Sequence, residues 1–149
     1  MTSLELGGKY RREDIPQYFG LSFNQGLWHS GHVCPKSMTD QILLVTLDKQ
    51  GHVSDYRDVI DWNNGFIRWS SQNSTSKSNK RGQQIINHVA ERRKIHLFVR
   101  KHKLHNKKAA NFTYLGTVTY DSHYGDKPMK VKFALAPYWM GETESVVTE

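Results

Sequence analysis

The chain has 149 residues, of which 37% are hydrophobic, 11% aromatic and 23% charged, with one cysteine and a net charge of +7. That length gives one domain its own core, the aromatic content excludes a disordered chain, and no apolar run reaches the roughly 18 residues of a membrane-spanning helix. Cys34 alone excludes an internal disulfide framework and a multi-cysteine zinc ribbon, and Met1–Gly8 lacks the basic start and apolar stretch of a signal peptide, so a reducing, cytoplasmic setting is expected.

In chain order, Tyr10–Phe19 reads as a short helix stopped by Gly20, with Pro16 tolerable only near its first turn. Leu21 to Thr39 reads as an irregular loop. Gln41–Leu47 (QILLVTL) is a short apolar run followed by the turn Asp48-Lys49-Gln50-Gly51, hence a buried strand. Further strands are expected within Val53–Ile60 and at Phe66–Ser71, separated by the turn residues Asn63, Asn64 and Gly65. Ser70 to Ser78 is a polar loop.

Arg81–Ala90 places Ile85, Ile86 and Val89 on one helix face. Lys94–Arg100 (KIHLFVR) is a strand with Ile95, Leu97 and Val99 on one side and His96 and Phe98 on the other. Lys101–Asn111 reads as a basic loop, Phe112–Tyr120 as a strand bent at Gly116, and Met129–Leu135 as its hairpin partner after a long loop. Gly141–Glu149 is expected to fray. The expectation is an α+β fold: a small curved antiparallel sheet or PUA-like β-barrel with two short helices, in one domain with its core at about residues 10–137 and tails at 1–8 and 141–149.

The positive charge is concentrated. Between Lys77 and Lys108 stand eleven Lys or Arg against the single acid Glu91, a net of +10 that leaves the remainder of the chain at −3. Such a block points to a polyanion, with double-stranded DNA the expected partner. It is not one long amphipathic helix, so no membrane partner is expected. The expected phosphate contacts are Lys77, Lys80, Arg81, Arg100, Lys101, Lys103, Lys107 and Lys108.

The strand end Phe66–Ser71 running into Gln72 and Asn73 offers amides and hydroxyls beside an indole, the chemistry that holds a base by its edge and its face. Trp69, Ser71, Gln72 and Asn73 are therefore candidate base contacts, with Tyr56 and Asp58 as further walls; Asp58 suits an exocyclic amine. Strand alternation puts Trp69 with Ile67, so core and pocket wall both remain open for its ring. His29, His32 and Cys34 lie within six residues, but with no second cysteine pair no metal site is expected. His105-Asn106-Lys107 begins a phospholipase-D-type signature, yet Phe112 stands where its Asp belongs, and no Gly-rich phosphate loop occurs. No catalytic residue and no cofactor is expected. The alternative is a small nuclease or glycosylase using Asp58, Asp61, His88 or His123.

Several strings together resemble an accessory domain of bacterial defence and restriction proteins. They are Tyr10-Arg11-Arg12-Glu13-Asp14-Ile15, Leu43–Lys49, Tyr56 with Asp58, Trp69–Asn73 with Ser76, Gly82, Ile86-Asn87-His88, Ile95–Arg100 with Lys101, Tyr114-Leu115-Gly116, Tyr120, His123, Gly125 and Pro128-Met129. That family's domain follows a phospholipase-D-like nuclease and a helicase, or accompanies other nuclease modules. The resemblance runs from Tyr10 to Leu135 and implies a domain that targets a nuclease to DNA. By looser analogy it implies a PUA-like or SET- and RING-associated fold that reads modified or flipped bases. Two departures stand out. Arg11 replaces a helix-capping Thr, and Ile67-Arg68 replace Phe-His, so no histidine role carries over to that position.

Overall fold

A computed structural model describes residues 3–48, 58–72 and 74–148. Its strands are β1 (Lys9–Tyr10), β2 (His32–Val33), β3 (Gln41–Asp48), β4 (Val59–Asp61), β5 (Phe66–Ser70), β6 (Ile95–His102), β7 (Leu104–His105), β8 (Lys108–Ala109), β9 (Phe112–Tyr124) and β10 (Lys130–Ala134). Two α-helices, α1 (Gln25–Trp28) and α2 (Lys80–Ile86), accompany short 3-10 turns. No helix among the described residues is long and apolar enough to cross a membrane.

One curved sheet runs in the order β2-β3-β6-β9-β10-β5-β4, with β1 added to β9. The α+β class and the curved sheet expected from sequence are present. Two details differ. The sheet is not closed into a barrel, and its edges are kept short instead, at two residues in β2 and three in β4. Nor is it wholly antiparallel: β3 and β6 pair in parallel, Gln41 opposite Ile95 through Asp48 opposite His102. The strings themselves call for a central place in the sheet, not for one direction of pairing. QILLVTL and IHLFVR are apolar on both alternations, the pattern of strands covered on both faces.

Both faces are indeed covered. Leu43, Val45, Ile95, Leu97 and Val99 point into the larger core, with Ile67, Trp69, Leu115, Val131, Phe133 and Ile85 of α2. Ile42, Leu44 and Phe98 point the other way, into a second cluster closed by Ile15, Trp28, Val33, Phe112 and Tyr114. The N-terminal segment thus roofs the outer face of β3, β6 and the start of β9. Among the described residues no such cover lies on the outer face of β5, β10 and the end of β9, where Arg68, Ser70, Ser122, Lys130 and Lys132 stand with Val59, Phe66 and Tyr124. This division positions the site.

Other expectations shift locally. Tyr10–Phe19 forms 3-10 turns at Arg12–Asp14 and Pro16–Phe19, ended as expected by Gly20 in the left-handed region. The loop expected at 21–39 contains α1 and β2. Helix α2 stops at Ile86 rather than Ala90, leaving Val89 64% exposed. The chain instead folds around His88, whose Nδ1–H donates to Arg93 O (2.9 Å) while its Nε2 accepts from Tyr120 N–H (2.9 Å). The loop at 101–111 carries the β7–β8 hairpin. Gly116, at φ 87°, faces a register shift between Leu97 and Phe98, the expected bend. The segment expected to fray turns at Glu144–Val147 and buries Val147 in the larger core.

Helix α2 begins at Asn79, whose side chain accepts from Gly82 N–H (3.0 Å). A Cβ at Gly82 would stand 1.8 Å from Ser76 O, whereas one at Gly20 would meet nothing within 4 Å. Gly82→Ala is therefore expected to cost about 3 kcal/mol by overpacking. Gly20→Ala should cost about 1 kcal/mol, from its left-handed backbone alone. Urea denaturation of the two variants measures the difference.

Candidate nucleic-acid interface

Strand β5 sends Ile67 and Trp69 inward and Phe66, Arg68 and Ser70 outward. Trp69 is buried in the larger core, with its ring against Phe133 (centroids 6.0 Å) and edge-on to His32 (5.7 Å, 84°). Ser71 is locked rather than open: its N–H donates to Met129 O (2.9 Å), and its Oγ accepts from Met129 N–H (2.8 Å). Gln72 is half-buried, and its amide donates to Ser30 Oγ. Asp58 is buried, with Oδ1 accepting from Ser70 N–H (2.9 Å), so the carboxylate is held beside the residue that follows Trp69. The fold thus brings Asp58, Trp69, Ser71 and Gln72 to one strand end. Tyr56 and Asn73 lie outside the described residues.

His32, weighed from sequence only as a metal ligand with His29 and Cys34, joins this group. The Gln41 amide donates to Gln84 O (2.8 Å), which turns Gln41 Oε1 toward His32 Nε2 (2.7 Å). An oxygen there requires the proton on Nε2. Burial pushes the imidazole down to about 4, so the ring is neutral and Nδ1 is a bare acceptor. Nδ1 has no hydrogen-bond partner among the described residues. Nothing in the sequence marks His32 as a base contact; its burial and the unpartnered Nδ1 do.

The outer face of β5, β10 and β9 carries a cleft of about 360 Å³. Lys132 pairs across with Arg68 on one side and Ser122 on the other, and Lys130 with Ser70 and Tyr124. Lys132 Nζ sits 4.0 Å from the Phe66 ring centre, and Tyr124 is 70% exposed. Arg68, Lys130 and Lys132 escaped the sequence reading because they cluster across strands, not along the chain.

The basic block, contiguous in sequence, is not one patch. Arg100 is buried over the Phe112 ring (4.4 Å), with Nε donating to Thr46 Oγ1 (2.9 Å) and Nη1 to Ala110 O (3.3 Å). Burial lowers its guanidinium to about 10. It fastens strands together, and the expectation of a phosphate contact is corrected. Lys101 faces Glu144 (3.3 Å). Lys103, Lys107 and Lys108 are exposed on the β7–β8 hairpin. Lys77 and Lys80 are exposed at the start of α2, and Arg81 Nη1 donates to His32 O (2.6 Å). His32 pairs with Leu43, and Leu43 with Leu97, so six residues of β6, about 20 Å, separate Arg81's contact from the hairpin. Of these cations Arg81 touches His32, and Lys80 and Arg93 line the same cleft as Arg81.

The alternative catalytic residues all hold structure. Besides Asp58 and His88, Asp61 accepts from Asn64 N–H (3.1 Å) and Nδ2 (2.9 Å), and His123 Nδ1 meets Tyr120 OH (2.7 Å). Among the described residues no three His, Cys, Asp or Glu side chains gather as a metal site.

A family model described as "Domain of unknown function (DUF3427)" matches residues 4–137. The chain belongs to this family. No curated protein sequence matches it. The DUF3427 fold is similar to that of the DNA modification-dependent restriction endonuclease AspBHI (TM-score 0.59, 14% identity), over 92% of this chain and 80% of that one. It is also similar to Arabidopsis thaliana SUVH6, solved in complex with SAM (TM-score 0.56, 13% identity), over 97% of this chain. The chain spans 28% of the length of SUVH6. The SET- and RING-associated-like fold implied by the resemblance is thus shown.

His32 makes stability depend on pH. Its folded value of about 4 lies below the roughly 6.5 of an unfolded histidine, so below pH 6.5 the unfolded chain binds the extra proton. Stability is full above pH 6.5 and falls as pH drops from 6.5 to 4, by about 3 kcal/mol at most. His96, also lowered by burial, adds in the same direction. Melting temperature against pH should fall over this window, and less steeply in His32→Gln protein.

Proposed function

We propose that this DUF3427 domain binds double-stranded DNA and reads a base displaced from the helix, with modified cytosine the first candidate, so as to direct a nuclease in restriction or defence. The observation that carries the reading is the placement of the buried Asp58 carboxylate, the Trp69 indole and the Gln72 amide at one strand end. A carboxylate accepts from an exocyclic amine, an indole offers a stacking face, and a carboxamide reads a base edge in both senses. Similarity of fold to a DNA modification-dependent restriction endonuclease across most of both chains supports the same reading. The cytoplasm, where such a nuclease meets foreign DNA, is the corresponding proposed location.

Lys77, Lys80 and Arg81 supply the phosphate contacts beside the reading group. Lys103, Lys107 and Lys108 form a second, sequence-blind patch on the hairpin, and Arg68, Lys130 and Lys132 line the outer cleft. Charge reversal at Lys107 and Lys108 together should weaken binding to every duplex alike and flatten the log–log salt dependence by about 1.8, two contacts' worth. Fluorescence anisotropy over a salt series reads both effects; an unchanged slope removes the hairpin from the interface.

Because Trp69 is buried, Trp69→Ala should cost roughly 3–5 kcal/mol of stability. The informative variants are Trp69→Phe, which keeps a ring, and Gln72→Ala. Both should fold. Gln72→Ala should lose preference among duplexes carrying unmodified and modified cytosines or adenines, while overall affinity stays. Preference unchanged in Gln72→Ala moves the reading group elsewhere.

A further inference from the structure

Folded proteins leave few buried polar atoms without a hydrogen-bond partner, and such an atom calls for an explanation. Among the side-chain atoms of the described residues there are two: His32 Nδ1 and Thr75 Oγ1. Both residues are at most 1% exposed. They belong to one network. Ser30 Oγ donates to His32 O (3.0 Å) and accepts the Gln72 amide, while Gln72 O accepts from Thr75 N–H (3.0 Å). The loop holding Thr75 is tied down further by Lys127 N–H to Thr75 O (2.8 Å) and by Lys77 N–H to Asp126 Oδ1 (2.7 Å). Ser30 and Gln72, half-buried, are the reachable members of this network.

We infer that His32 is a specificity-determining residue whose bare Nδ1 accepts a hydrogen bond from the exocyclic amine of a base brought against Trp69. The inference rests on the base-reading proposal and adds to it a residue and a chemical class. Three observations converge. Gln41 fixes the proton on Nε2, so Nδ1 can only accept. The ring stands edge-on to the buried Trp69, 5.7 Å between centroids, so a base that reaches the indole meets this ring as well. Arg81 holds the His32 carbonyl at 2.6 Å, which links the acceptor to the α2 cations that would meet the phosphates. An exocyclic amine presents a hydrogen to the His32 lone pair. A keto base in the same place sets oxygen against lone pair and is rejected. The class selected is cytosine-like or adenine-like, against uracil-, thymine- or hypoxanthine-like.

The test uses duplexes carrying cytosine, 5-methylcytosine or adenine opposite an abasic position, so that pairing strength does not enter. Each is matched to its uracil, thymine or hypoxanthine counterpart. Wild-type protein should favour one amine base over its keto counterpart. In His32→Gln the new amide replaces the Nε2–H toward Gln41 but offers nothing at Nδ1. Its preference should fall about tenfold, with affinity for the keto duplex unchanged. In wild-type protein the His32 Nδ1 nitrogen resonance should shift on binding the amine duplex only, a readout that survives if the variant misfolds. Preference retained in the variant, or a resonance that does not move, overturns the role of His32 while leaving base reading intact. No preference in the wild type overturns base reading and this inference with it.

Discussion

The parallel pairing of β3 with β6 is the constraint on which the rest depends. Seven registered pairs, Gln41 opposite Ile95 to Asp48 opposite His102, join two strands that are apolar on both faces. A parallel pair cannot be joined by a tight turn and needs a long crossover. That crossover is the span carrying β4, β5 and α2, so Asp58, Trp69 and Gln72 sit on the connection the central pair demands. The same pair divides the molecule into two cores, one roofed by the N-terminal segment and one filled from β5, β10 and α2. Gln41, the first residue of β3, then does three things at once: its backbone starts the ladder, its amide holds α2 at Gln84 O, and its oxygen sets the His32 tautomer. Structure at the centre and chemistry at the edge are joined by one side chain.

The sequence made much of this fold legible where periodicity speaks. β3, β5, β6 and β10 fall within a residue or two of expectation, because short apolar runs bounded by turn residues have few other solutions. Orientation was not legible: a run buried on both faces looks alike whether its neighbour is parallel or antiparallel. Helix length at Val89 was misread because spacing cannot show that the His88 ring bonds Arg93 O and Tyr120 N–H and so captures the chain. Val147 in the larger core, with Val146 packed against it, was likewise hidden, a short apolar pair in an acidic stretch.

Of the site, the strand end at Trp69 was legible because indole, hydroxyl and amide stand side by side in the chain. The electrostatics were less so. Counting charge along a sequence treats Arg100 and Lys107 alike, yet one is buried over Phe112 and the other lies on an exposed hairpin. The reverse error hid Arg68, Lys130 and Lys132, which meet only through strand register. His32 was hidden for a third reason. What marks it is a buried Nδ1 without a partner among the described residues, which no pattern of residue types records.

Fluorescence of 2-aminopurine placed opposite the target base tests most directly whether the domain displaces a base. The account predicts that emission rises when wild-type protein binds a duplex carrying the preferred base, because loss of the partner leaves the analogue unstacked. Binding that saturates on every duplex with emission unchanged would contradict it, and would leave a domain that grips the DNA backbone without reading it.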